Sequence, residues 1–206
     1  MKFDSIKIFI PVILFIFPFI QLNGQSKVMA HLFNDESKDM NLFINPTFQF
    51  SEIVLQYCAI PGIRAGVIIN NKTTFGALYN FTLNSLPLPE TKGSGKLMMK
   101  WGGIHFEYTL WPNQKVHLTF PLSVGVGRLK ISGNTNDSLP GNRSFLFAEP
   151  GLMVEINVWK YAKLGIGTSY RYTANVSYNS LTANDLSGFA ATVSAKFGIF
   201  NYPESE

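Results

Sequence analysis

The sequence predicts an all-β fold: an eight-stranded antiparallel transmembrane β-barrel preceded by a cleavable signal peptide. Three observations predict it. Long stretches alternate apolar with polar or tiny residues, short aromatic turns alternate with longer polar loops, and an apolar leader stands at the front of the chain. The alternation is clearest between Ala148 and Phe200. Leu152, Val154, Ile156 and Val158 alternate with Gly151, Met153, Glu155 and Asn157. After the turn at Trp159-Lys160-Tyr161, Leu164, Ile166, Thr168, Tyr170 and Tyr172 alternate with Lys163, Gly165, Gly167, Ser169 and Arg171. Successive side chains of a strand point to opposite faces, so one face is apolar and the other charged or small. A soluble barrel of the lipocalin kind would turn the apolar face inward and accounts poorly for charges on the other face. A membrane barrel turns it outward.

The leader begins with Lys2 and Lys7 and continues as an apolar run from Ile8 to Ile20, interrupted by Pro11 and Pro18. That run is shorter than the roughly 20 residues a membrane-spanning helix needs, and its prolines oppose a lasting helix. Asn23-Gly24-Gln25-Ser26 offers a cleavage site, so residues 1–25 read as a signal peptide. Residues 26–40 then form a polar N-terminal periplasmic segment, 41–200 the barrel, and 201–206 a C-terminal tail. The one cysteine, Cys58, is far from the cleavage site, which excludes both a lipid anchor there and an internal disulfide. The formal charge of +4 falls by one without the leader and is spread along the chain, so nucleic acid is not an expected partner.

Strands are expected at 41–50, 57–69, 73–83, 97–110, 115–130, 144–158, 162–173 and 187–200. Most match the roughly 9–11 residues with which a tilted strand crosses a bilayer. A short connection near Ser51 to Gln56 joins the first two. The second places Arg64 and Gly66 inward, and Asn70-Asn71-Lys72 turns the chain into the third. Asn84 to Lys96 is a long polar loop before the fourth strand, which points His105, Glu107 and Thr109 inward and Ile104, Phe106, Tyr108 and Leu110 outward. Trp111-Pro112-Asn113-Gln114 leads to the fifth, with His117, Thr119, Ser123, Gly125 and Gly127 inside and Val116, Leu118, Phe120, Leu122, Val124 and Val126 outside. A second long loop, Ser132 to Arg143, precedes the sixth and seventh strands, which contribute Glu149, Glu155, Asn157, Lys163 and Arg171 to the interior. A third, Ala174 to Leu186, precedes the last strand. Short turns at one end and long loops at the other put both chain ends on the periplasmic side.

Hydrocarbon demands closure, because an open sheet edge would leave backbone groups unpaired. Eight strands close around an interior that their own side chains fill. Arg64, His105, Glu107, His117, Glu149 and Arg171 are therefore expected to form a lumen charge network. A turn centred on Lys160 would oppose Asn157 to Lys163 and Glu149 to Arg171, and the turn at Pro112 would bring Glu107 close to His117. Trp111, Trp159 and Tyr161 at the short turns read as membrane-interface aromatics.

Several ordered motifs carry a family likeness: Gly62-Ile63-Arg64-Ala65-Gly66-Val67-Ile68-Ile69-Asn70, Phe147-Ala148-Glu149-Pro150-Gly151, Glu155-Ile156-Asn157-Val158, and Leu164-Gly165-Ile166-Gly167-Thr168-Ser169-Tyr170-Arg171-Tyr172. Asp185-Leu186-Ser187-Gly188-Phe189 and Lys196-Phe197-Gly198-Ile199-Phe200 complete them. Residues 46–200 resemble the small uncharacterised outer-membrane β-barrels of Bacteroidetes, eight-stranded barrels of the OmpX/OmpW-like kind. The resemblance implies a fold and the outer membrane of a Gram-negative bacterium, with barrel-assembly machinery for insertion, and no activity. Such barrels usually end on an aromatic residue, whereas here Asn201 to Glu206 follow Phe200.

No catalytic residue, metal site or cofactor is expected. His105, Glu107, His117 and Ser123 are the candidates for a lipid-modifying enzyme, but they point into the lumen, and Ser123 is expected several residues beyond His117 along the barrel. The scattered histidines, His31 among them, lack metal-ligand spacing. Gly93-Ser94-Gly95-Lys96 lacks the strand and helix of a phosphate loop and reads as an outer loop. Pro61 and Pro150 are expected to mark bulges, with the lateral openings of a small-hydrophobe conduit as the alternative. The expected function is a structural or surface-interaction role for a sealed, polar-filled barrel. Its partners would be outer-membrane lipid and lipopolysaccharide, plus an unknown surface partner through the external loops. Leu86, Leu88, Tyr178 and Leu181 are apolar enough for such contacts, and Lys92 and Lys96 suit anionic headgroups. The alternatives are a narrow channel for small or hydrophobic solutes and, after it, the lipid-modifying enzyme.

Overall fold

A computed structural model describes residues 40–84, 86–87, 96–132, 141–142, 144–178 and 181–200. The expected signal peptide, residues 26–39 with His31, the loop residues Leu88, Lys92 and Gly93-Ser94-Gly95, and the tail 201–206 lie outside the described residues. The strands are β1 (Met40–Ile53), β2 (Gln56–Ile69), β3 (Thr73–Phe81), β4 (Leu86–Pro87), β5 (Lys96–Leu110), β6 (Val116–Ser132), β7 (Gly141–Asn142), β8 (Ser144–Trp159), β9 (Ala162–Ala174), β10 (Ser177–Tyr178), β11 (Leu181–Thr182) and β12 (Gly188–Gly198). One short helix, α1 (Ala183–Leu186), lies before β12.

Eight long strands make the sheet in the order β3-β2-β1-β12-β9-β8-β6-β5, and pairing of β3 with β5 closes it. Every pairing is antiparallel. The start of β1, the end of β12 and the turns at 70–72, 111–115 and 160–161 share one end. The hairpin at Val54-Leu55 and the three long connections share the other. We call these the turn end and the loop end.

The stagger of the barrel follows from the ladders. Asn41 pairs with Ile68, Ile68 with Thr74, Thr74 with Glu107, and Glu107 with Pro121. Pro121 stands level with Gly151, between the pairs Thr119↔Met153 and Leu122↔Pro150. Gly151 pairs with Ser169, Ser169 with Ala190, and Ala190 with Ser51. One circuit returns to β1 ten residues further on, which for eight strands tilts them by roughly 40°. The lumen at that diameter is just wide enough for side chains.

Pro150 does not mark a bulge. Ala148↔Tyr172 and Gly151↔Ser169 keep one register across it, so the missing N–H leaves only a gap in the ladder. Pro61 pairs with Phe48 in an unbroken β1–β2 ladder and lies just beyond the β2–β3 ladder, which begins at Gly62↔Asn80. The register shift in the β8–β9 hairpin falls instead at its turn, between Asn157 and Trp159.

The two-residue β1–β2 turn has Val54 and Leu55 at φ 52° and 58°. Asparagine and glycine suit these positions, and a β-branched residue is strained there. Two contacts offset that strain: Val54 N–H donates to Asp185 O at 2.8 Å, and Val54 packs against the buried cluster at the loop end. Outside, the wall is apolar along its length: Ile104, Phe106, Val116, Phe120, Leu122, Val124, Leu152, Val154, Ile166 and Val193 are all exposed. Inside, the polar and charged residues are buried. The molecule is inverted relative to a water-soluble barrel, as a hydrocarbon solvent requires.

Candidate functional site

The lumen has three levels. At the turn end Phe200, Phe43 and Ile68 form a small buried cluster. Phe200 N–H donates to Lys160 O at 3.0 Å, and Lys163 Nζ sits 4.3 Å from the Phe200 ring centroid. The chain's last described aromatic therefore closes the mouth from within.

The middle level holds the ionisable groups. Arg64, His105, Glu107, His117 and Glu149 are buried there, with Glu155, Lys163 and Lys196, and Arg171 is buried above them against the loop-end core. Lys196 of β12 reaches Glu107 of β5 on the opposite wall and Glu155 Oε1 of β8 at 2.6 Å. Glu107 also receives Thr74 Oγ1 at 3.4 Å and lies 3.5 Å from His105 Nε2. Glu155 Oε2 meets His117 Nε2 at 3.1 Å. Gly165 makes room for this crossing, since a Cβ there would stand 2.6 Å from Ser194 Oγ and 3.3 Å from Glu155 Cγ. A second cross-lumen bond runs from Gln49 Nε2 of β1 to Glu149 Oε1 of β8 at 2.7 Å. Such pairs hold opposite walls together while satisfying groups that would be costly to bury alone.

The β8–β9 register opposes Asn157 to Lys163 and sets Glu149 opposite Arg171, as expected, but the side-chain partners differ. Glu149 and Arg171 make no ion pair. Glu149 turns toward the turn end and accepts from Gln49 and from Ser169 Oγ at 2.8 Å. Arg171 turns toward the loop end, where Nε donates to Leu186 O at 3.1 Å, Nη2 to Ser51 Oγ at 3.2 Å, and the guanidinium stacks 4.9 Å over Trp101. Glu149→Gln keeps an acceptor for both donors, so it should cost about 1–2 kcal/mol in urea unfolding and leave the Arg171 contacts intact. His117 does not meet Glu107 either. The turn at 111–115 is longer than a two-residue hairpin, which pairs Glu107 with Pro121 and places His117 opposite Glu155.

Ser123 lies six residues beyond His117 along β6, as expected, and this places it beside His105. Its Oγ shares a hydrogen bond with His105 Nδ1 at 2.9 Å, which lines up Ser123, His105 and Glu107. These are the residue types of a nucleophile, base and orienting acid. His105 and Glu107 are wholly buried, however, and Ser123 is 4% exposed, so no acyl chain reaches the hydroxyl in this arrangement. Among the described residues no group of three metal-ligating side chains converges.

The third level was not anticipated. Toward the loop end the inward face turns apolar, and Ile60, Leu97, Met99, Trp101, Phe145 and Leu186 pack as a buried core. A Cβ on Gly127 would lie 2.2 Å from Phe145 Cζ, so only glycine leaves space for that ring. The lumen is thus polar in its middle and oily above. At the turn end Trp111, Trp159 and Tyr161 are exposed on the outer wall, with Trp159 and Tyr161 edge to face at 5.0 Å. Sequence reasoning missed Lys196 and Gln49, although the alternation of Ala190, Thr192, Ser194 and Lys196 already assigns the lysine to the inner face.

No known family model and no curated protein matches this chain. Solved structures do. Neisserial surface protein A (NspA) aligns with a TM-score of 0.56 at 15% identity, over 81% of this chain and 100% of that one. OprG of Pseudomonas aeruginosa, an outer membrane protein, aligns with 0.53 at 8% identity, over 79% and 96%. The N-terminal β-barrel domain of Pseudomonas aeruginosa OprF gives 0.51 at 9% identity, over 77% and 97%. At such identities the likeness is one of fold. The closed eight-stranded sheet, the apolar outer wall and these neighbours together give this chain the fold of a small outer-membrane β-barrel.

Proposed function

We propose that this barrel is a non-conducting, non-enzymatic element of the outer membrane whose role is structural or exercised through its outer surface and loops. The observation that carries the reading is the contact of Lys196 with Glu107 from opposite walls, roofed by the Trp101 core and floored by Phe200. The burial of Ser123, His105 and Glu107 supports the non-enzymatic half. Residues 1–25 would serve as the leader, 26–40 as a periplasmic segment, and assembly machinery would insert residues 41–200. The ordered motifs at 62–70 and 147–172 support kinship with the small barrels of Bacteroidetes.

Protein extracted folded from the outer membrane and inserted into planar bilayers should be electrically silent. Discrete conductance steps from protein shown to be inserted would replace this reading with that of a narrow channel.

A further inference from the structure

The outer wall carries a cluster of cations that has no counter-ion among the described residues. Lys96 and Lys100 of β5 and Arg128 and Lys130 of β6 are exposed on the outward face at the loop end. Lys100 pairs directly with Arg128, Met98 with Lys130, and Lys96 with Ser132. Lys130 is therefore the diagonal neighbour of both lysines of β5, at roughly 7–8 Å. Like charges set opposite each other on a sheet destabilise it. Among the described residues none of the four has an acidic partner, whereas Lys196 in the lumen touches two carboxylates. Four like charges gathered on two neighbouring strands form a surface suited to an anion.

The height of the cluster says which kind. On β6 the outward face is apolar from Val116 to Val126, and Arg128 is the next outward residue. Ten residues tilted at roughly 40° rise about 25 Å, the height of the apolar band of such barrels. Phe81 of β3 flanks Lys100, pairs with it and is 39% exposed, so a greasy wall continues directly beneath the charges. A cationic rim above an apolar wall is complementary to a lipid with phosphate in its headgroup. Four cations exceed what one phosphodiester neutralises, and Arg128 presents a fork suited to a phosphate monoester.

We propose that Lys96, Lys100, Arg128 and Lys130 bind the phosphorylated sugar headgroup of lipid A, the membrane anchor of lipopolysaccharide, in the outer leaflet. The proposal rests on the reading above only for its orientation, with the loop end outward. Phosphates would seat on the rim while acyl chains lie along Val124, Val126 and Phe81.

The test titrates the folded protein, in zwitterionic detergent, with bisphosphorylated lipid A, dephosphorylated lipid A and phosphatidylglycerol. Lipid A should bind, and loss of its phosphates should abolish most of the affinity. Lys100→Gln with Arg128→Gln should weaken binding about thirtyfold, at roughly a factor of five per cation. Lys72→Gln with Lys115→Gln, the same charge change at the turn end, should leave affinity unchanged. The first pair should unfold no earlier than wild type, since it relieves repulsion. Should it fail to fold, Lys96→Gln with Lys130→Gln serves in its place. Wild-type affinity in the rim variant, equal weakening by both pairs, or equally tight binding of phosphatidylglycerol would each overturn the proposal. Conductance of the same preparation is independent of all three results, so failure here and failure of the sealed-barrel reading are told apart.

Discussion

Glu107→Ala is expected to destabilise the barrel by about 3–5 kcal/mol, read as a large drop in the urea midpoint of tryptophan fluorescence in a fixed detergent. Glu107 is wholly buried and gathers Lys196, His105 and Thr74. Its removal leaves the Lys196 ammonium with one carboxylate, Glu155, and leaves His105 and Thr74 facing a void. The cost is that of a buried ammonium left with one carboxylate of two, added to the cavity left by the missing side chain. As a control, Glu107→Leu combined with Lys196→Met removes both charges and fills the space, so it should be more stable than Lys196→Met alone, which leaves Glu107 and Glu155 without their shared cation. Strict additivity of the two single effects would mean that the cross-lumen contact does not couple the walls.

Much of the fold was legible because a strand reports its own two faces every second residue. The strand expected at 144–158 is Ser144–Trp159, and that at 97–110 is Lys96–Leu110. Short turns were legible as well, since Asn70 and Asn71 adopt the positive φ angles that asparagine tolerates. Partnership inside the barrel was not legible. Alternation says that Glu107 and Lys196 point inward, but only the ten-residue stagger and closure of β3 on β5 decide that they meet. The same holds for Gln49 and Glu149, a hundred residues apart in sequence. Turn length was the other missing quantity, because the segment 111–115 determines that His117 faces Glu155. The apolar core at the loop end was recoverable in principle: Met99 and Trp101 continue the inward parity of His105 and Glu107. A membrane barrel is expected to be polar throughout its interior, whereas here the inward face is polar only through its middle.

That core makes Trp101→Ala the second large effect, with a loss of about 3–5 kcal/mol. Trp101 is 1% exposed, its ring centroid lies 6.5 Å from that of Phe145, and Arg171 stacks upon it. With the Asn80 amide turned so that its oxygen faces the indole, Nε1 donates to it at 3.1 Å. Truncation removes packing, a desolvated cation–π contact and a hydrogen bond together. Trp101→Phe should recover most of the packing and cost only about 1–1.5 kcal/mol, the share of the lost hydrogen bond. The electrical consequence separates the two upper levels of the lumen. In the Trp101→Ala barrel the Lys196 crossing still spans the lumen beneath the cavity, so the protein should be weaker yet remain silent in a planar bilayer. Conductance from Trp101→Ala alone would make the aromatic core the seal, and the ion network a brace. Silence in Trp101→Ala with conductance once Lys196→Ala is added would give the seal to the ions, with the core serving to hold Arg171 and the loop end in place.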